Sequence, residues 1–581
     1  MENAQHVENI RHTCAHVLAR SMLKLFPGTK LAIGPAIEHG FYQDFEPPRP
    51  ITDKDLAAIE KEMRKFLAHG HGMTGEKVSV KEARESQKPH PYKLEIIDEL
   101  EQEGKDITLY TMGDFVDLCR GGHVENTKEI NPKAVKLTKV AGAYWRGDEK
   151  KPMLTRIYGL AFETPEELKA HMTMLAEAEK RDHRKIGKEL DLFVFSELVG
   201  SGLPLFTPRG TVILSEFTKL IYELQEPHGY LRVDIPHLAK PELYKRSGHW
   251  DKFKDDIFHV RGKHDSEFVL KPMNCPHHAQ IYASRPRSYR DLPLRYAEIT
   301  KMYRDENPGQ LQGLSRVRSI TIDDAHVFCR PDQIHNEVMN MIDIAEAVYK
   351  LYNIKLTPIL SVRDPKTPEK YLGTDEGWAS AEATLKKVLK DRGIKTFDLD
   401  TGGAAFYGPK IDLSGIDAIG RKWQLATFQI DFNQPEGLDL TYVDERGKEV
   451  RPVMIHRALL GSMERHLMVL LEHFAGAFPV WLSPVQIALL PLSEKHIDFA
   501  RTLSQEFKSH GVRVDVDENN ETVGNKIRKA VKQKVPYLIV LGDKEVKSGS
   551  LPIRSRGSKE SHEMVKNDFI KKVLEEIKER K

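Results

Sequence analysis

Apolar residues recur every three or four positions in several stretches of this chain, a spacing that predicts amphipathic helices. One helix is expected from about His12 to Phe26 and a second from Asp53 to Ala68, with a glycine-punctuated set of short strands between them. A charged stretch from Glu163 to Leu190 also has a helical period, and Thr164 to Glu167 resembles a capping box. The start of the chain therefore reads as an α+β unit followed by a connecting helix.

The middle of the chain alternates strand-like runs such as LPLRYAEITKMYR and RKWQLATFQIDF with helices such as HNEVMNMIDIAEAVYKLYN. The alternation lacks the regularity of a parallel barrel, so an antiparallel sheet flanked by helices is predicted. After Trp481, the runs VQIALLPL, VRVDVD and YLIVLGD indicate a small α/β domain with a mostly parallel sheet. The predicted divisions are an α+β domain (1–165), a linker helix (166–190), an antiparallel domain (191–479) and an α/β domain (480–581).

Composition narrows the class of protein. A chain of 581 residues is expected to form two to four domains. Its 88 Lys and Arg against 86 Asp and Glu argue against a histone-like polycation but permit local basic surfaces. The cysteines are too few and scattered for a disulfide framework, which indicates a reducing compartment. No apolar run is long enough for a membrane span or signal core, so we expect a soluble, cytoplasmic protein.

The most charged segment of the chain runs from Tyr303 to Arg330 and reads as two strands joined by a polar loop. Arginines on facing strands, Arg304 and Arg316, would offer charged forks suited to a bent triphosphate. Asp324 and His326 are two apart and should point to the same face. A nucleotide-binding site is therefore predicted, and the alternative for this stretch alone is a solvated surface hairpin.

Two further segments carry candidate chemistry. Cys275, His326 and His456 lie on separate strand-like runs, and one Cys with two His would leave tetrahedral zinc an open position. From spacing alone, three unrelated core residues are the alternative. The segment before Arg465 follows a strand and opens a helix, which would aim its guanidinium at the triphosphate; an amphipathic helix with a surface arginine is the competing interpretation.

The motifs together resemble those of bacterial-type threonyl-tRNA synthetases, which are class II aminoacyl-tRNA synthetases, over nearly the whole chain. The landmarks occur in the family's order: RSGHWDKFKDDIF, LKPMNCPHH, DLPLRYAEITKMYRDEN, GLSRVRSITIDDAHVF, AFYGPK, WQLATFQIDF and MIHRALLGSMER. The resemblance implies an α+β multidomain fold: an N-terminal α+β editing domain, a class II antiparallel catalytic core flanked by helices, and a C-terminal α/β anticodon-binding domain. It implies ATP-dependent activation of L-threonine, transfer to tRNA(Thr), and hydrolysis of mischarged seryl-tRNA(Thr).

In this family one Zn²⁺ per subunit is held by the residues that match Cys275, His326 and His456, and the amino group and hydroxyl of threonine complete its coordination. A site that must satisfy a metal and Asp324 with a substrate hydroxyl penalises valine heavily. Serine keeps the hydroxyl and lacks one methyl, a difference of about 1–3 kcal/mol or about 10- to 200-fold. That small difference predicts a second, hydrolytic site.

The resemblance also assigns residues around ATP. Arg304 should hold the α-phosphate and Arg465 the γ-phosphate of a bent ATP, with Glu306 near adenine and Arg316 near the phosphates, while Mg²⁺ neutralises the leaving pyrophosphate. Lys410 is placed to meet phosphate. The remaining pocket positions that match the family are Met273, Asp324, Tyr407, Gln424 and Gln429. Ile320 and Ile322 replace an aromatic residue and a glutamine of other members, so adenine would lose a stacking surface.

The N-terminal domain carries the matching editing residues. His12 and His16 are four apart on one helical face, and Cys119 and His123 share that spacing in DLCRGGHV, where two glycines favour a loop. Such a set can bind metal and does so in a related editing family; we adopt the threonyl interpretation, a metal-free pocket that hydrolyses seryl-tRNA. A lysine beside neutral histidines would order water or stabilise an oxyanion. The general base stays open, and the full expected pocket is His12, His16, Lys93, Asp117, Cys119 and His123.

The C-terminal domain has 20 basic and 15 acidic residues from Trp481 onward, a mild excess suited to holding a phosphate backbone. The positions that match anticodon-reading residues are Asn520, Glu545 and Arg554. The segment near Pro236, placed after a strand VDI, forms the subunit interface in this class, so a homodimer is expected. Many relatives carry a ubiquitin-like domain before the editing unit; no room for one exists before His12, which a natural loss or a truncation would explain.

Three rival functions are compatible with parts of this pattern. A regulatory paralogue that binds RNA or amino acid without catalysis would not need Arg304, Arg465 and the metal triad. A dedicated hydrolase acting through the N-terminal pocket would show no threonine-dependent exchange of pyrophosphate into ATP. A sister synthetase for proline or serine is the nearest enzyme, and Cys275, Asp324, His326 and His456 together favour threonine.

Overall fold

The computed structural model describes residues 2–263 and 266–581. The chain divides into two compact units, Met1–Glu177 (unit 1) and Ala178–Lys581 (unit 2), with the division inside the predicted connecting segment. Across the described residues, no helix combines the length and the apolar character needed to cross a bilayer. The finer domain limits at residues 165, 190 and 479 stay predictions.

Unit 1 is an α+β structure built on antiparallel strands. Its helices are α1 (Glu2–Leu25), α2 (Leu56–His69), α3 (Val80–Ser86), α4 (Pro91–Gln102) and α5 (Pro165–Lys180), the last of which ends in unit 2. Its strands are β1 (Lys30–Leu31), β2 (Ala36–Ile37), β3 (Gly40–Glu46), β4 (Met73–Val78), β5 (Ile107–Met112), β6 (Phe115–Leu118), β7 (Val135–Tyr144) and β8 (Met153–Ala161). One sheet has the order β1-β3-β8-β7 with β2 on β3, and a second sheet has the order β4-β5-β6.

Helix α1 forms because its apolar residues fall on one stripe that the rest of unit 1 buries. Ile10, Cys14, Val17, Leu18 and Met22 are fully or almost fully buried in the core of the unit. His12 and His16 lie on a different stripe, where His16 contacts Asp117 in β6 and His12 contacts Cys119 just after it. The predicted same-face placement of these two histidines is confirmed.

The first part of unit 2 carries the main sheet. Its helices are α6 (His183–Glu189), α7 (Pro208–Gln225), α8 (Pro241–Arg246), α9 (His249–Phe253), α10 (Cys275–Ala283), α11 (Ile334–Lys350), α12 (Asp375–Asp391), α13 (Asn433–Gly437) and α14 (Met463–His473). Its strands are β9 (Phe193–Val194), β10 (Leu205–Phe206), β11 (Leu231–Arg232), β12 (Leu238–Ala239), β13 (His259–Arg261), β14 (Glu267–Leu270), β15 (Leu294–Tyr303), β16 (Ser319–Cys329), β17 (Leu356–Val362), β18 (Asp398–Thr401), β19 (Lys410–Ile416), β20 (Lys422–Asp431), β21 (Tyr442–Val443), β22 (Glu449–Val450) and β23 (Val453–Ala458).

The main sheet has the strand order β11-β15-β16-β23-β20-β19-β17-β18. Its neighbours pair antiparallel except at the two edges, where β11/β15 and β17/β18 are parallel. Helices α7, α11, α12 and α14 contribute residues to the apolar core that covers the sheet. The predicted antiparallel sheet flanked by helices is therefore confirmed.

The last part of unit 2 holds a smaller sheet with helices α15 (Ile497–Ser509), α16 (Val523–Lys532), α17 (Asp543–Lys547) and α18 (Lys566–Lys578). Its strands are β24 (Ile487–Pro491), β25 (Val514–Val516), β26 (Tyr537–Leu541), β27 (Ser550–Ser555) and β28 (His562–Val565), in the order β25-β24-β26-β27-β28. The three strands predicted from the sequence pair parallel. The sheet is nevertheless mixed, because β27 and β28 add an antiparallel hairpin that the apolar pattern did not reveal.

Two other local predictions need correction. The connecting segment forms two helices rather than one, because Asp182 leaves the helical path and caps α6 by accepting a hydrogen bond from the Arg184 backbone at 2.8 Å. The capping box at the start of α5 is confirmed by reciprocal contacts between Thr164 and Glu167. The strand before Pro236 ends at Arg232 rather than covering the VDI run.

Candidate active sites

A cavity of about 430 Å³ opens between the loop after β15 and the start of α14. The predicted nucleotide residues that line it are Arg304, Glu306, Arg316, Gln424 and Arg465. Ile320 and Ile322 line it as well. Segments far apart in the sequence thus converge on one concave, positively charged site of the size that holds a small ligand.

The sequence predicted Arg304 and Arg316 on facing strands, and this prediction is wrong. Strand β15 ends at Tyr303 and β16 begins only at Ser319. Arg304 and Arg316 belong to the connecting loop, which Pro308 and Gly313 (φ +50°) turn sharply. The loop is internally braced, since Arg316 donates to Glu306 Oε2 from Nε at 2.8 Å and from Nη2 at 2.7 Å. It therefore presents the arginines from a braced irregular segment.

The Arg304 side chain is largely buried and forms no ion pair with any of the described residues. Its Nη2 lies 3.2 Å from Met273 Sδ, its guanidinium stands 4.9 Å from the Phe253 ring centre, and its Nε has no hydrogen-bond partner among the described residues. Burial lowers the pKa of this guanidinium, which shows how poorly solvated the charge is. A buried cation with a free donor beside a cavity is suited to bind an anion.

Arg465 reaches the same cavity from the first turn of α14. Ser462 caps this helix by accepting the backbone N–H of Arg465 at 3.2 Å, which fixes the direction of the arginine at the helix start. The guanidinium lies 5.8 Å from the Trp423 ring centre. The expected strand followed by a helix is confirmed here.

A second group of residues forms a candidate metal site. Ligand atoms of Cys275, His326 and His456 all lie within 4.8 Å of one another, and all three residues are buried. His326 and His456 face each other because they are paired in register on β16 and β23. Cys275 is not on a strand as expected; it opens helix α10, where Pro276 occupies an early helical position that needs no backbone N–H.

The residues around this group favour a metal. The Nδ1 atoms of His326 and His278 are 2.8 Å apart, which leaves Nε2 of His326 for a ligand, and His456 Nε2 is 2.9 Å from Asp431 Oδ2. Burial lowers the pKa of His326, which keeps its ring neutral and able to coordinate. Burial also raises the pKa of the Cys275 thiol, so a bound cation would be needed to hold it as the thiolate. The donor set fits a tetrahedral metal with one open position.

The predicted amino acid residues surround the metal group. Asp324 accepts a hydrogen bond from Asn274 Nδ2 at 3.0 Å and lies 3.7 Å from His326 Nε2, so the same-face prediction is confirmed. The ring of Tyr407 stacks on His456 with centres 4.7 Å apart, and its hydroxyl donates to Gln429 at 2.6 Å. Asp324, Tyr407 and Gln429 therefore lie next to the three candidate metal ligands.

Lys410 has a different environment from the one expected. Its ammonium is paired with Asp412, which also accepts hydrogen bonds from Gln424 Nε2 and Thr427 Oγ1 at 2.7 Å each. Among the described residues that line the nucleotide cavity, Gln424 and Thr427 are present and Lys410 is not. Lys410 is therefore connected through Asp412 to two residues that line the cavity. Its direct contact with phosphate stays a prediction.

Among the described residues around the metal group that sequence reasoning missed are His249, His278 and Asp431. His249 Nε2 lies 3.3 Å from Cys275 Sγ, and its position in RSGHWD gave no hint of that contact. His278 is three residues after Cys275, so the HH pair in LKPMNCPHH was the available signal. Asp431 ends β20 opposite Met454 on β23, a placement that depends on strand register alone.

The six expected editing residues form one cluster in unit 1. Sγ of Cys119 lies 3.5 Å from His12 Nε2 and 3.2 Å from His123 Nε2. Asp117 joins the two remaining residues, with Oδ1 2.8 Å from Lys93 Nζ and Oδ2 3.2 Å from His16 Nδ1. His12, His16, Cys119 and His123 also have the geometry of a possible metal group. The predicted loop between Cys119 and His123 is confirmed.

The charges of this cluster are strongly coupled. Burial opposes ionisation of Cys119, but hydrogen bonds from His12, His123 and His16 outweigh it and lower its pKa to about 3. Burial likewise opposes the charge on His16, but Asp117 and Cys119 raise its pKa to about 9. Burial lowers the pKa of His123, which favours its neutral form. These pKa shifts favour a thiolate on Cys119, an imidazolium on His16 and a neutral ring on His123 at neutral pH.

Replacing Asp117 by asparagine is expected to destabilise unit 1 by about 3–5 kcal/mol, because the Lys93 ammonium would stay buried without its counter-charge. Hydrogen exchange of the α1 and β6 amides measures the effect. Asp106→Asn is the matched control: its pair with Lys77 is exposed, so the change should cost about 0–1 kcal/mol. Equal protection in both variants would contradict a buried ion pair.

The three expected anticodon residues occupy separate places in the C-terminal sheet. Asn520 follows β25, and Glu545 lies in α17 just after β26, so both stand at the carboxyl edge of the parallel strands. Glu545 accepts the backbone N–H of Gly542 at 2.8 Å. Arg554 pairs with Leu538 near the other end of β26 and donates to the Ser558 carbonyl at 2.9 Å. A shared anticodon surface stays a prediction.

Comparisons with known proteins match each part of the chain. Residues 258–474 match "tRNA synthetase class II core domain (G, H, P, S and T)", residues 486–576 match "Anticodon binding domain", and residues 107–158 match "Threonyl and Alanyl tRNA synthetase second additional domain". The chain is 48% identical over 565 residues to "Threonine--tRNA ligase" of Thermosynechococcus vestitus, covering 96% of this chain and 93% of that protein. It is 44% identical over 584 residues to the protein of that name from Thermotoga maritima, covering 100% and 90%.

Two solved structures are similar as well. The "RNA binding domain of Threonyl-tRNA synthetase from Cryptosporidium parvum Iowa II" is 35% identical, with a TM-score of 0.65 over 68% of this chain and 98% of that one. The "putative threonyl-tRNA synthetase ThrRS-1 from Aeropyrum pernix" is 27% identical, with a TM-score of 0.61 over 69% and 97%.

Proposed function

The chain belongs to the threonyl-tRNA synthetases, and on that premise we propose which of its residues carry out each step. It is a threonine--tRNA ligase with a class II catalytic core, an anticodon-binding domain and an editing domain. The substrates that follow are ATP, threonine and tRNA. The observation that best supports threonine as the amino acid substrate is that Cys275, His326 and His456 converge beside Asp324.

We propose that Cys275, His326 and His456 hold one Zn²⁺ ion per subunit. Bound there, the ion would supply a positive charge and an open position for the amino group and hydroxyl of the substrate. Asp324 presents a buried carboxylate that would accept a hydrogen bond from the threonine hydroxyl. Valine would leave this carboxylate unpaired, whereas serine would satisfy it and lose only the contacts of one methyl group.

Activation would take place where the two groups meet. Arg304 touches Met273 on the amino acid side and lines the nucleotide cavity on the other, so it can hold the α-phosphate next to the threonine carboxylate. A carboxylate oxygen attacks the α-phosphorus, and the bond to pyrophosphate breaks. Arg316 and Arg465 would bind the departing phosphates, and the Mg²⁺ that accompanies ATP would supply further positive charge there. A terminal ribose hydroxyl of tRNA then attacks the carbonyl and releases AMP.

Replacing Arg304 by glutamine is expected to lower kcat for threonine-dependent pyrophosphate exchange by about 10²- to 10³-fold, because one charged donor on the developing phosphate charge is lost. Arg446→Gln is the control, since Arg446 is exposed and is not among the described residues that line the cavity. Exchange rates at saturating ATP measure the change. Equal rates for the two variants would contradict the position assigned to Arg304.

We propose that the cluster around Cys119 hydrolyses mischarged seryl-tRNA. The product is free serine and tRNA, with water adding to the ester carbonyl and the ribose oxygen leaving. His123, whose lowered pKa favours the neutral ring, can accept a proton from water, while Lys93 and the His16 imidazolium can stabilise the oxyanion. The matched editing domain and the close contacts of the six residues support this proposal.

We also propose a homodimer joined near Pro236. Leu231 and Leu238, on either side of that residue, are 52% and 43% exposed, and Leu198 is fully exposed. Exposed apolar side chains that flank Pro236 suit a surface that a second copy of the chain would cover. Sedimentation of the purified protein at micromolar concentration tests the proposal, with twice the chain mass expected.

A further inference from the structure

One buried histidine outside both sites, His183 in α6, joins the two elements that carry the cavity arginines. Its Nδ1 lies 2.7 Å from Glu472 Oε1 on α14, and its backbone N–H donates to the same oxygen at 3.1 Å. Its Nε2 accepts the backbone N–H of Leu314 at 3.1 Å. Because Nε2 accepts, the ring proton sits on Nδ1 and is donated to Glu472.

On the loop side, the contact fixes the segment that carries Arg316. Leu314, two residues earlier, is fully buried in the same core as Ile186 and Leu190. A Cβ on Gly313 would lie 2.2 Å from His183 Nε2, so only glycine lets the loop approach the ring this closely. The anchor therefore lies directly beside the cavity-lining residues Ser315 and Arg316.

On the helix side, the contact fixes the element that carries Arg465. Glu472 lies seven residues, or about two turns, after Arg465 on α14, so both project from the same face. Burial opposes the charge of Glu472, but His183 and Arg421 outweigh it and hold its pKa below the usual range. The carboxylate is thus a charged acceptor that anchors the ring to the helix.

A second path runs from Glu472 back to the cavity. Arg421 pairs with Glu472 and also with Asp417 at 2.7 Å. Asp417 accepts the indole N–H of Trp423 at 2.9 Å, and the Trp423 ring faces the Arg465 guanidinium. The contacts of His183 therefore lead through Leu314 to the loop that carries Arg316, and through Glu472 to the helix that carries Arg465.

Asp182, His183 and Glu472 together have the geometry of a possible metal group, but their ligand atoms already form hydrogen bonds within the protein. Both ring nitrogens of His183 are hydrogen-bonded, and Asp182 caps α6 and pairs with Arg184. The satisfied hydrogen bonds indicate a fixed spacer rather than an ion site.

We propose that His183 is a positioning residue for ATP, which sets the distance between the Arg316 loop and the Arg465 helix. This role rests on the proposed binding of ATP in the cavity. His183 acts through Leu314 and Glu472 and touches no substrate. Its loss should therefore weaken the use of ATP selectively, while threonine binding beside Cys275 and hydrolysis in unit 1 are unaffected.

The test compares two variants that each keep half of the bridge. His183→Asn keeps a donor near the position of Nδ1 and removes the acceptor for Leu314; His183→Gln keeps an acceptor near Nε2 and removes the donor for Glu472. His510→Asn, at an exposed histidine, is the control. KM values for ATP and threonine in pyrophosphate exchange, seryl-tRNA hydrolysis and Tm are measured for each protein.

We expect His183→Asn to raise the ATP KM about tenfold, the effect of one lost buried hydrogen bond, with the threonine KM within about twofold of wild type and hydrolysis unchanged. His183→Gln should raise the ATP KM less, because the loop contact survives. An unchanged ATP KM in both variants, or equal rises for ATP and threonine with a lower Tm, would overturn the proposal.

Gly313→Ala provides a second test if the His183 variants do not fold. Its methyl group would collide with the ring and displace the loop, so the same selective rise in the ATP KM is expected, and a normal KM would overturn the proposal. A wild-type protein without threonine-dependent exchange would refute the proposed function itself, and this role with it.

Discussion

Replacing Cys275 by serine is expected to remove the bound zinc and to reduce threonine activation by at least about 10³-fold. The reason is that the substrate hydroxyl would lose the metal ion that binds it. Cys275 is fully buried, and its Sγ lies within 4.8 Å of ligand atoms on both His326 and His456. A serine hydroxyl is a far weaker ligand than a thiolate, so the two histidines alone would not retain the ion.

The control for this variant is Cys329→Ser. Cys329 is equally buried but lies outside the candidate metal group, so any cost of burying a hydroxyl is shared by the two variants. Metal content by mass spectrometry and threonine-dependent pyrophosphate exchange are measured on the same preparations. Retained activation in a zinc-free Cys275→Ser protein would refute the assigned metal.

The double replacement of His12 and His16 by alanine is expected to slow hydrolysis of seryl-tRNA by about 10²- to 10⁴-fold, the usual contribution of positioned acid–base groups. His12 contacts Cys119 and His16 contacts Asp117, and His16 supplies one of the positive charges of the pocket beside Lys93. Unit 2 holds the arginines and the candidate metal group, so threonine activation should be unchanged. Seryl-tRNA should then accumulate during aminoacylation with serine.

Another pair of neighbouring histidines in unit 1 supplies the matched control. The rings of His39 and His171 are 4.6 Å apart and lie outside the cluster around Cys119. His39→Ala with His171→Ala should hydrolyse seryl-tRNA as fast as the wild type. If the two double variants hydrolyse equally fast, the editing assignment fails.

Local patterns in the sequence predicted the elements better than the contacts between them. The two-residue period placed Asp324 and His326 on one face, and the four-residue spacing did the same for His12 and His16. The pairing of His326 with His456 depends on the register of β16 against β23, strands far apart in the chain. No local rule sets that register, so the metal group could be identified from the sequence only through the family resemblance.

The misplaced predictions have physical causes. Arg304 and Arg316 read as strand residues because the flanking runs are strand-like, yet Pro308 and the Arg316–Glu306 pair favour a loop between the strands. Cys275 was predicted to lie on a strand-like run, yet Pro276 occupies the first turn of a helix, where no backbone N–H is needed. His183 gave no signal, since both of its side-chain partners lie more than a hundred residues away.

X-ray diffraction from a crystal of the protein at wavelengths on either side of the zinc absorption edge tests the central assignment most directly. One anomalous peak per chain is expected, within bonding distance of Cys275 Sγ and a ring nitrogen each of His326 and His456, about 2.3 Å and 2.0–2.1 Å away. Absence of a peak in zinc-supplemented crystals, or three side chains too far apart to share one ion, would contradict it.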